Sequence, residues 1–397
     1  MPSRCQRMQG SGDFVKIMQL LPELNSGGVE GATLDMAAAL VAAGHESVVI
    51  SNGGRLVPAL EAAGSRHMTL PIHRKSLASL FQIRPLRRLI QAEQPDIVHV
   101  RSRVPAWILA LALRPIPLAR RPKLVCTVHG FYSVNRYSQI MTQADRVIAV
   151  SDSVVAYIQH HYPACPAMRI QRIYEGIQPA QWPHGYQPSA HWWQKTYEEF
   201  PELEHKRWLT LPGRITRLKG HVDFIHLIKA LSHDFPEIHG VIVGGADEKK
   251  ITYLQELEAL IAAEGVSDRI TFTGARQDMR EWLAASELVF SLSTQAETFG
   301  RTVLEAVALG RPVIGWDRGG VSEILSRCFP EGKLPITTPD KQPITERERD
   351  ALEHKTREFL RHPPQVAPIQ DFLLEQCQAE TLALYESLCR SGGKKFH

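Results

Sequence analysis

Two carboxylates, Glu297 and Glu305, have seven residues between them and lie where a ligand is expected. The apolar run at 288–292 predicts a buried parallel strand before Glu297, and Gly310 ends the helix predicted to carry Glu305. Ligands bind at the carboxyl ends of strands in open α/β sheets, and helix N-termini offer N–H groups to phosphate or sugar oxygens. Both carboxylates are therefore predicted to face one ligand. Taken singly, Glu297 is equally compatible with a helix cap and Glu305 with a solvated helix residue.

Arg214 and Lys219 follow another predicted strand, in the segment from Gly213 to Gly220. An arginine fork and a lysine point charge at this spacing can flank one diphosphate. The alternative is ordinary surface charge at the start of a helix.

Three further strand ends carry candidate ligand-binding residues. Gly27 and Gly28 follow the first predicted strand and allow close approach of the backbone to an anion, although a plain turn explains them as well. His129 ends a strand, where a lone histidine is more often structural. Gly244 and the segment 274–276, which ends at Arg276, are strand-end turns of the second half of the chain.

Strand and helix patterns alternate along most of the chain, which predicts α/β architecture with parallel, doubly wound sheets. One alternating series fills residues 1–178 and a second fills residues 179–370. Between them, residues 178–206 are rich in proline, tryptophan and histidine and are predicted to form a linker with an irregular insert. The charged segment 340–360 is predicted to be an exposed helix, and 371–388 a terminal helix.

The composition, with 44% hydrophobic and 22% charged residues over 397 residues, is that of an ordinary globular protein. No apolar run reaches the roughly 18 residues of a membrane span. The first thirteen residues lack the apolar core of a secretory signal and are expected to form a loose tail. The six cysteines show no C-x-x-C spacing, which favours a reducing cytosol over a disulfide framework or a zinc site.

The net charge of +4 is unevenly distributed. Residues 1–178 contain 20 basic and 11 acidic side chains, a net charge of +9, and the remainder carries −5. This asymmetry favours attraction to an anionic surface such as a membrane, with scattered solvated charge as the alternative. Nucleic acid is disfavoured because no nucleic-acid module accompanies the charge. The basic residues of the first half cluster at Arg74, Lys75, Arg84, Arg87, Arg88, Arg101, Arg103, Arg114, Arg120, Arg121 and Lys123.

The spacing of Glu297 and Glu305, together with Gly213-Arg214 and Lys219-Gly220, resembles the signature of retaining glycosyltransferases with the GT-B fold, group 4. In the family's Glu-Gly-Phe-Gly motif, Thr298 replaces one glycine here, which affects the detail of the sugar pocket. The resemblance implies two Rossmann-like domains that face a cleft. It also implies an acceptor-binding first domain, a nucleotide-sugar-binding second domain, and a last helix, about 371–397, that crosses back to the first.

The resemblance also implies residue roles. Arg214 and Lys219 would neutralise the leaving diphosphate, Glu297 would hold the transferring sugar and Glu305 the ribose. His129 would face the sugar and the acceptor, and Arg276 would contact the base. Glu297, His129, Arg214 and Lys219 are thus the predicted catalytic residues. The remaining predicted donor contacts are Gly27, Gly28, Gly244, Thr298, Phe299 and Gly300.

The function implied is metal-independent transfer of a hexose from a nucleotide diphosphate sugar, with UDP as the expected nucleotide, and no cofactor is expected. The acceptor would be a glycan or glycolipid, as in bacterial lipopolysaccharide core synthesis, and the enzyme would be cytoplasmic and peripheral on the membrane's inner face. No Asp-x-Asp metal motif occurs in the sequence. The alternatives are a non-hydrolysing UDP-sugar epimerase of the same fold and a non-catalytic anion-binding scaffold.

Overall fold

The computed structural model describes residues 14–25, 27–246 and 251–392, so the first thirteen residues lie outside the described part. The chain forms two compact units. The first contains residues up to Glu175 together with those from Glu375 onward, and the second contains Gly176–Leu374.

The first unit is built on a seven-stranded parallel sheet with the order β3-β2-β1-β4-β5-β6-β7. The strand order reverses beside β1, whose two neighbours are β2 and β4. Its strands are β1 Lys16–Leu20, β2 Glu46–Ser51, β3 Arg66–Thr69, β4 Ile97–Val100, β5 Lys123–Val128, β6 Arg146–Ala149 and β7 Ile170–Arg172. Its helices are α1 Gly28–Ala42, α2 Val57–Ala62, α3 Ile83–Glu93, α4 Arg103–Leu113, α5 Asp152–His161 and the final α13 Leu374–Gly392.

The second unit is built on a six-stranded parallel sheet with the order β10-β9-β8-β11-β12-β13. Its strands are β8 Arg207–Pro212, β9 Ile238–Val243, β10 Ile270–Gly274, β11 Leu288–Ser291, β12 Val313–Trp316 and β13 Lys333–Leu334. Its helices are α6 Ala190–Glu199, α7 His221–Leu231, α8 Ile251–Ala263, α9 Met279–Ala285, α10 Arg301–Ala308, α11 Gly319–Cys328 and α12 Glu346–Arg361. The prediction of two doubly wound parallel sheets is confirmed. None of the helices in the described ranges has the length and apolarity needed to cross a bilayer.

The last helix, α13, packs on the sheet of the first unit. Its Leu384 and Leu388 join the buried cluster that contains Ile17 of β1 and Ile97 of β4. Tyr385 also belongs to this cluster, and its hydroxyl lies 2.6 Å from Nδ1 of the buried His99. Apolar burial and one internal hydrogen bond therefore attach the end of the chain to its first strands.

The prediction of a linker with an irregular insert at 178–206 is wrong for Ala190–Glu199, which form the regular helix α6, whereas residues 178–189 are irregular. Ser189 caps the N-terminus of α6 by accepting from the backbone N–H of Trp192. Trp192 and Trp193 then pack edge-on against two buried indoles, Trp282 and Trp208 respectively. The prolines before Ser189 obscure the helical periodicity, but the aromatic face is what anchors the helix to the sheet.

Two further expectations need correction. The charged helix α12 is not simply exposed, because Leu352, Phe359 and Leu360 on one of its faces are buried. The terminal helix begins three residues later than predicted, at Leu374. Phe372 has a φ of 59°, in the left-handed region that interrupts a helix.

Two buried histidines make the second unit sensitive to acid. Burial lowers the pKa of His221 and of His239 to about 4, from an ordinary value of 6.5. The folded unit therefore binds fewer protons than the unfolded chain between these two pH values. The contribution of the two histidines to the free energy of unfolding is complete above pH 6.5 and is lost as the pH falls toward 4.

We expect His239→Asn to flatten the dependence of the melting temperature on pH between 6.5 and 4. His233→Asn, at a fully exposed side chain, should leave this dependence unchanged. Equal slopes in all three proteins would contradict this assignment.

Candidate active site

The reversal of strand order in the second sheet brings two distant loops together. Because β8 and β11 are neighbours, the segment 213–220 after β8 lies beside the segment 292–300 after β11. The backbone N–H of Thr294 donates to the carbonyl of Leu218 at 2.8 Å. Gly220 has a φ of 76°, and a Cβ there would lie 2.0 Å from the carbonyl oxygen of Leu292. Only glycine allows this approach, which takes place at the position where open α/β sheets bind ligands.

Lys219 and Glu297 meet at this junction. Lys219 Nζ lies 2.9 Å from Glu297 Oε1, and the two side chains keep 26% and 23% of their surface exposed. The hydroxyl of Ser293 donates to the same carboxylate oxygen. Glu297 does not cap the following helix, because the N-cap residue is Gly300 and the Glu297 carboxylate accepts from Lys219 and Ser293 instead. The helix-cap alternative for Glu297 is therefore wrong, and its carboxylate is part of a polar cluster.

Glu305 lies in α10, the helix that follows the Glu297 turn, and its side chain is not solvated. Its carboxylate accepts from Arg301 Nε at 3.0 Å, and only 7% of the residue surface is exposed. Helix α10 begins after Gly300, whose φ of 102° turns the chain sharply from the strand. The helix buries every residue from 303 to 308, so Glu305 lies on a packed surface of the helix. A buried carboxylate of this kind needs polar partners.

The turn that carries Glu297 rests on two glycines of α11. The backbone N–H of Gly320 donates to the carbonyl of Glu297 at 2.8 Å. A Cβ at Gly319 would lie 2.4 Å from that carbonyl, and one at Gly320 would lie 2.4 Å from Phe299. Phe299 is buried against Phe372, with ring centroids 5.8 Å apart. Thr298, between Glu297 and Phe299, is half-buried.

Arg214 and Gly244 lie at the ends of the neighbouring strands β8 and β9. A Cβ at Gly244 would lie 1.9 Å from the carbonyl oxygen of Gly213, so the two loops are in backbone contact. The N–H of Ile215 donates to the carbonyl of Gly245 at 3.0 Å. Arg214 is exposed, and its guanidinium forms no ion pair within the described ranges. The cations predicted to flank a diphosphate thus differ, since Lys219 is paired and Arg214 is not.

Arg276 is bound by α6. Its guanidinium forms a two-pronged ion pair with Glu199, and its Nε donates to the carbonyl of Thr273 at 2.9 Å. The guanidinium also lies over the rings of Phe200 and Trp282. Glu199, Arg276 and Trp282 line a pocket of about 460 Å³ between α6 and the loop after β10. No described contact joins Arg276 to Lys219 or Glu297, so its predicted contact with a base stays a prediction.

The first unit contains the remaining predicted residues. Gly27, with a φ of 148°, precedes α1, which begins at Gly28. Burial raises the pKa of Glu30 in the first turn of this helix, and the neighbouring His129 partly opposes the rise. His129, after β5, places its Nδ1 3.0 Å from Glu175 Oε1. A carboxylate on one ring nitrogen orients the imidazole and sets its tautomer.

Three partners were missed by the sequence analysis. Arg301 was detectable, because its spacing of four residues from Glu305 is the helical pairing distance. Ser293 and Glu175 were not assigned, because a serine after a strand and a glutamate after Tyr174 carry no pattern of their own. Their roles depend on which strands are neighbours in the sheet.

Residues 26–181 match the family model for Glycosyltransferase Family 4, and residues 195–360 match the one for Glycosyl transferases group 1. The chain belongs to the group 4 glycosyltransferases with the GT-B fold. The predicted resemblance is thereby confirmed.

Individual relatives agree with this assignment. The lipopolysaccharide core biosynthesis mannosyltransferase LpsB of Rhizobium meliloti (strain 1021) is 29% identical over 194 residues, which are 47% of this chain and about half, 53%, of that protein. A glycosyltransferase structure from Rickettsia africae ESF-5 has a TM-score of 0.78 at 24% identity, with 95% of this chain and 99% of that one covered. Anabaena Alr3699/HepE in complex with UDP and glucose has a TM-score of 0.69 at 21% identity, with 95% and 98% covered. The two structures share the fold.

The backbone contact at Gly244 gives a test of the site. Gly244→Ala places a methyl group 1.9 Å from the Gly213 carbonyl, so the loop that carries Arg214 must move. We expect at least tenfold weaker calorimetric binding of UDP with the circular dichroism spectrum retained. Gly245→Ala, whose added methyl has the Ala275 methyl as its nearest neighbour at 3.0 Å, is the matched control and should have a smaller effect. Unchanged UDP affinity in Gly244→Ala would place nucleotide binding elsewhere.

Proposed function

We propose that this protein is a retaining, metal-independent hexosyltransferase that uses a nucleotide diphosphate sugar, with UDP as the nucleotide. The observation that carries the proposal is the cluster of Lys219, Glu297 and Ser293. Lys219 belongs to the loop 213–220 after β8, which also carries the exposed Arg214, and Glu297 belongs to the loop after the neighbouring strand β11. The UDP and glucose held by the Anabaena neighbour support the choice of donor.

The ion pair between Lys219 and Glu297 suits a site that binds a diphosphate sugar. The Lys219 ammonium and the Glu297 carboxylate neutralise each other. A bound diphosphate competes for the ammonium, which leaves the carboxylate to accept hydrogen bonds from sugar hydroxyls. Both groups are only about three-quarters buried, so a ligand can reach them. The exposed Arg214 supplies a second charge to the same diphosphate, as its fork geometry suits phosphate oxygens.

Cleavage of the sugar–diphosphate bond builds negative charge on the leaving group and positive charge on the sugar ring. Lys219 and Arg214 would meet the first charge and Glu297 the second, which stabilises the transition state more than the ground state. In the single-step mechanism that we propose, configuration is retained because the acceptor oxygen attacks on the face from which the diphosphate departs. A diphosphate oxygen would then accept the acceptor's proton. His129, oriented by Glu175, would face the sugar and acceptor, as the family resemblance implies.

We further propose a glycan or glycolipid acceptor of the bacterial cell surface, in the lipopolysaccharide core or a comparable glycan. The similarity to the Rhizobium meliloti core mannosyltransferase supports this narrower class. The proposed enzyme is cytoplasmic and needs no cofactor other than its nucleotide-sugar substrate.

A donor screen tests the activity. UDP-, GDP- and ADP-sugars are incubated with core oligosaccharide in 5 mM EDTA or manganese, at about equal ionic strength, and nucleotide diphosphate release is measured. We expect turnover of a UDP-sugar that EDTA does not reduce and that falls on the order of 10²- to 10³-fold in Lys219→Met. Lys206→Met, at an exposed lysine before β8, is the control. Loss of turnover in EDTA with recovery in manganese, or conversion of the free UDP-sugar without acceptor, would contradict the proposal.

Substitutions of Glu297 and Glu305 should have different effects on the steady-state kinetics. Glu297 would contact the sugar as charge develops, so Glu297→Gln should lower kcat on the order of 10²-fold with little change in UDP affinity. Glu305 would contact the ribose in both ground and transition states, so Glu305→Gln should raise the donor KM and weaken UDP binding. The measurements are steady-state kinetics and UDP calorimetry, with Glu331→Gln at an exposed position as control. Equal loss of UDP affinity in both variants would overturn the division of roles.

We also propose peripheral binding to anionic membranes through the first unit. Leu80 and Phe81 are 48% and 79% exposed just before α3, where Arg84 and Arg88 are exposed as well. Apolar side chains beside cations suit the interface of an anionic bilayer, where each basic residue contributes about 1 kcal/mol. Other members of the basic cluster serve the fold instead, as Arg87 and Arg121 donate to backbone carbonyls.

Flotation with vesicles tests the membrane surface. We expect binding to phosphatidylglycerol vesicles at low salt, loss of binding as salt rises, and at least fivefold weaker binding of Phe81→Ser. Met168→Ser, at a side chain that is 83% exposed in the same unit, is the matched control. Equal binding to phosphatidylcholine vesicles, or no effect of Phe81→Ser, would contradict this surface.

A further inference from the structure

Arg101, the residue after β4, is a buried cation that the proposed chemistry does not use. Only 6% of its surface is exposed. Its Nε and Nη2 both donate to Gln19 Oε1, at 3.2 and 2.9 Å. Within the described ranges, Nη1 has no hydrogen-bond partner and no carboxylate forms an ion pair with the guanidinium. A neutral amide oxygen is thus its only described side-chain acceptor.

A guanidinium keeps its charge in proteins, and a buried charge without a paired counterion is costly. Burial lowers the pKa of Arg101, and longer-range attraction from the carboxylates of Glu175 and Asp35 opposes this effect only in part. Gln19 is itself fully buried and is oriented by donation from Nε2 to the carbonyl of Thr33 at 3.4 Å. The neutral Gln19 side chain therefore holds Arg101 in place, and the guanidinium keeps N–H groups, those of Nη1 among them, that can donate to a ligand.

The position of Arg101 in the sheet is one at which ligands bind. It follows β4, and Gln19 lies on β1, the neighbour of β4 at the reversal of strand order in the first sheet. Helix α4 begins two residues later, after Ser102, which makes no side-chain cap. Pro105 has no N–H, so the backbone donors at the start of this eleven-residue helix are those of Arg103 and Val104, and no side-chain acceptor for them occurs in the described ranges. His129 follows β5, the other neighbour of β4, so the residue predicted to face the acceptor lies at the same edge.

We propose that Arg101 binds an anionic group of the acceptor, a phosphate or a carboxylate, so that the acceptor class is a negatively charged sugar. The inference rests on the proposed function and deepens it. The planar fork of Arg101 can offer two parallel N–H donors to either group, and the start of α4 adds backbone donors. The anion supplies the countercharge that the described residues do not place beside the guanidinium.

Matched acceptors test the inference. Each pair differs only in charge: a glycosyl phosphate against its methyl glycoside, and a uronate against its methyl ester. We expect one charged member to be used with a kcat/KM about 10- to 100-fold above its neutral partner, the effect of one hydrogen-bonded charge. Whether the phosphate or the carboxylate pair shows the difference identifies the group. Arg101→Gln should abolish the difference through the acceptor KM, with donor KM unchanged, and Arg101→Lys should restore part of it.

Calorimetric binding of small anions tests the same site without depending on transferase activity. Inorganic phosphate and acetate are titrated at constant ionic strength with saturating UDP present, which occupies the proposed donor site. We expect saturable binding of one of them to the wild type and to Arg136→Gln, an exposed control, and none to Arg101→Gln. If both anions bind Arg101→Gln as they bind the wild type, or neither binds any protein, the inference is wrong.

The two proposals fail in different ways. Transfer to charged and neutral acceptors with equal kcat/KM would overturn the role of Arg101 and leave the transferase intact. No transfer from any donor, with Arg101-dependent anion binding retained, would overturn the transferase and leave the anion site.

Discussion

The close approach of backbone to backbone at the ends of the strands is the constraint on which the second unit depends. Gly220 touches the carbonyl of Leu292, Gly244 touches that of Gly213, and Gly319 touches that of Glu297. Each contact excludes a Cβ, so no other residue keeps these loops at their present separation. The pairing of Lys219 with Glu297 depends on this spacing, because the two residues belong to the loops that these contacts hold together. The backbone contacts therefore set the distance between the charged groups of the site.

The sheet of the first unit, in contrast, contains polar side chains that are buried in its packed interior. His99 is buried between two hydroxyls, with Nδ1 facing Tyr385 and Nε2 facing Thr127, both at 2.6 Å. Burial lowers the pKa of His99 well below its ordinary range, so the ring stays neutral while Arg101 nearby stays charged. Satisfied polar groups of this kind orient their neighbours at small net cost, whereas a buried group without its partner is expensive.

Much of the fold was predictable because parallel strands buried on both faces give apolar runs, as at 241–243 in β9 and 288–290 in β11. The helix α6 was not, because prolines precede it and its tryptophans resemble an irregular segment when their packing partners are unknown. The exposed character expected for α12 failed for a related reason. Its high content of charged residues conceals three buried apolar residues on one face.

The candidate site was predictable in kind but not in pairing. The positions of Glu297 in a turn and of Glu305 in a helix followed from local pattern. The contact of Glu297 with Lys219 did not, since 78 positions separate the two residues and only the strand order makes them neighbours. Glu175 and His129, 46 positions apart, illustrate the same limit. Pattern reveals which residues are polar at strand ends, and topology decides which of them meet.

The placement of α13 has a consequence for the order of assembly during synthesis. The second unit is one continuous stretch of chain, and all of its strands have left the ribosome before α13 is made. The first unit begins earlier, but its core cannot be completed until α13 is made. Leu384 and Leu388 of this helix cover Ile17, Ile97 and Val125 of the sheet. The apolar sheet face of the first unit is therefore exposed on the nascent chain until α13 has been made, after every strand of the second unit.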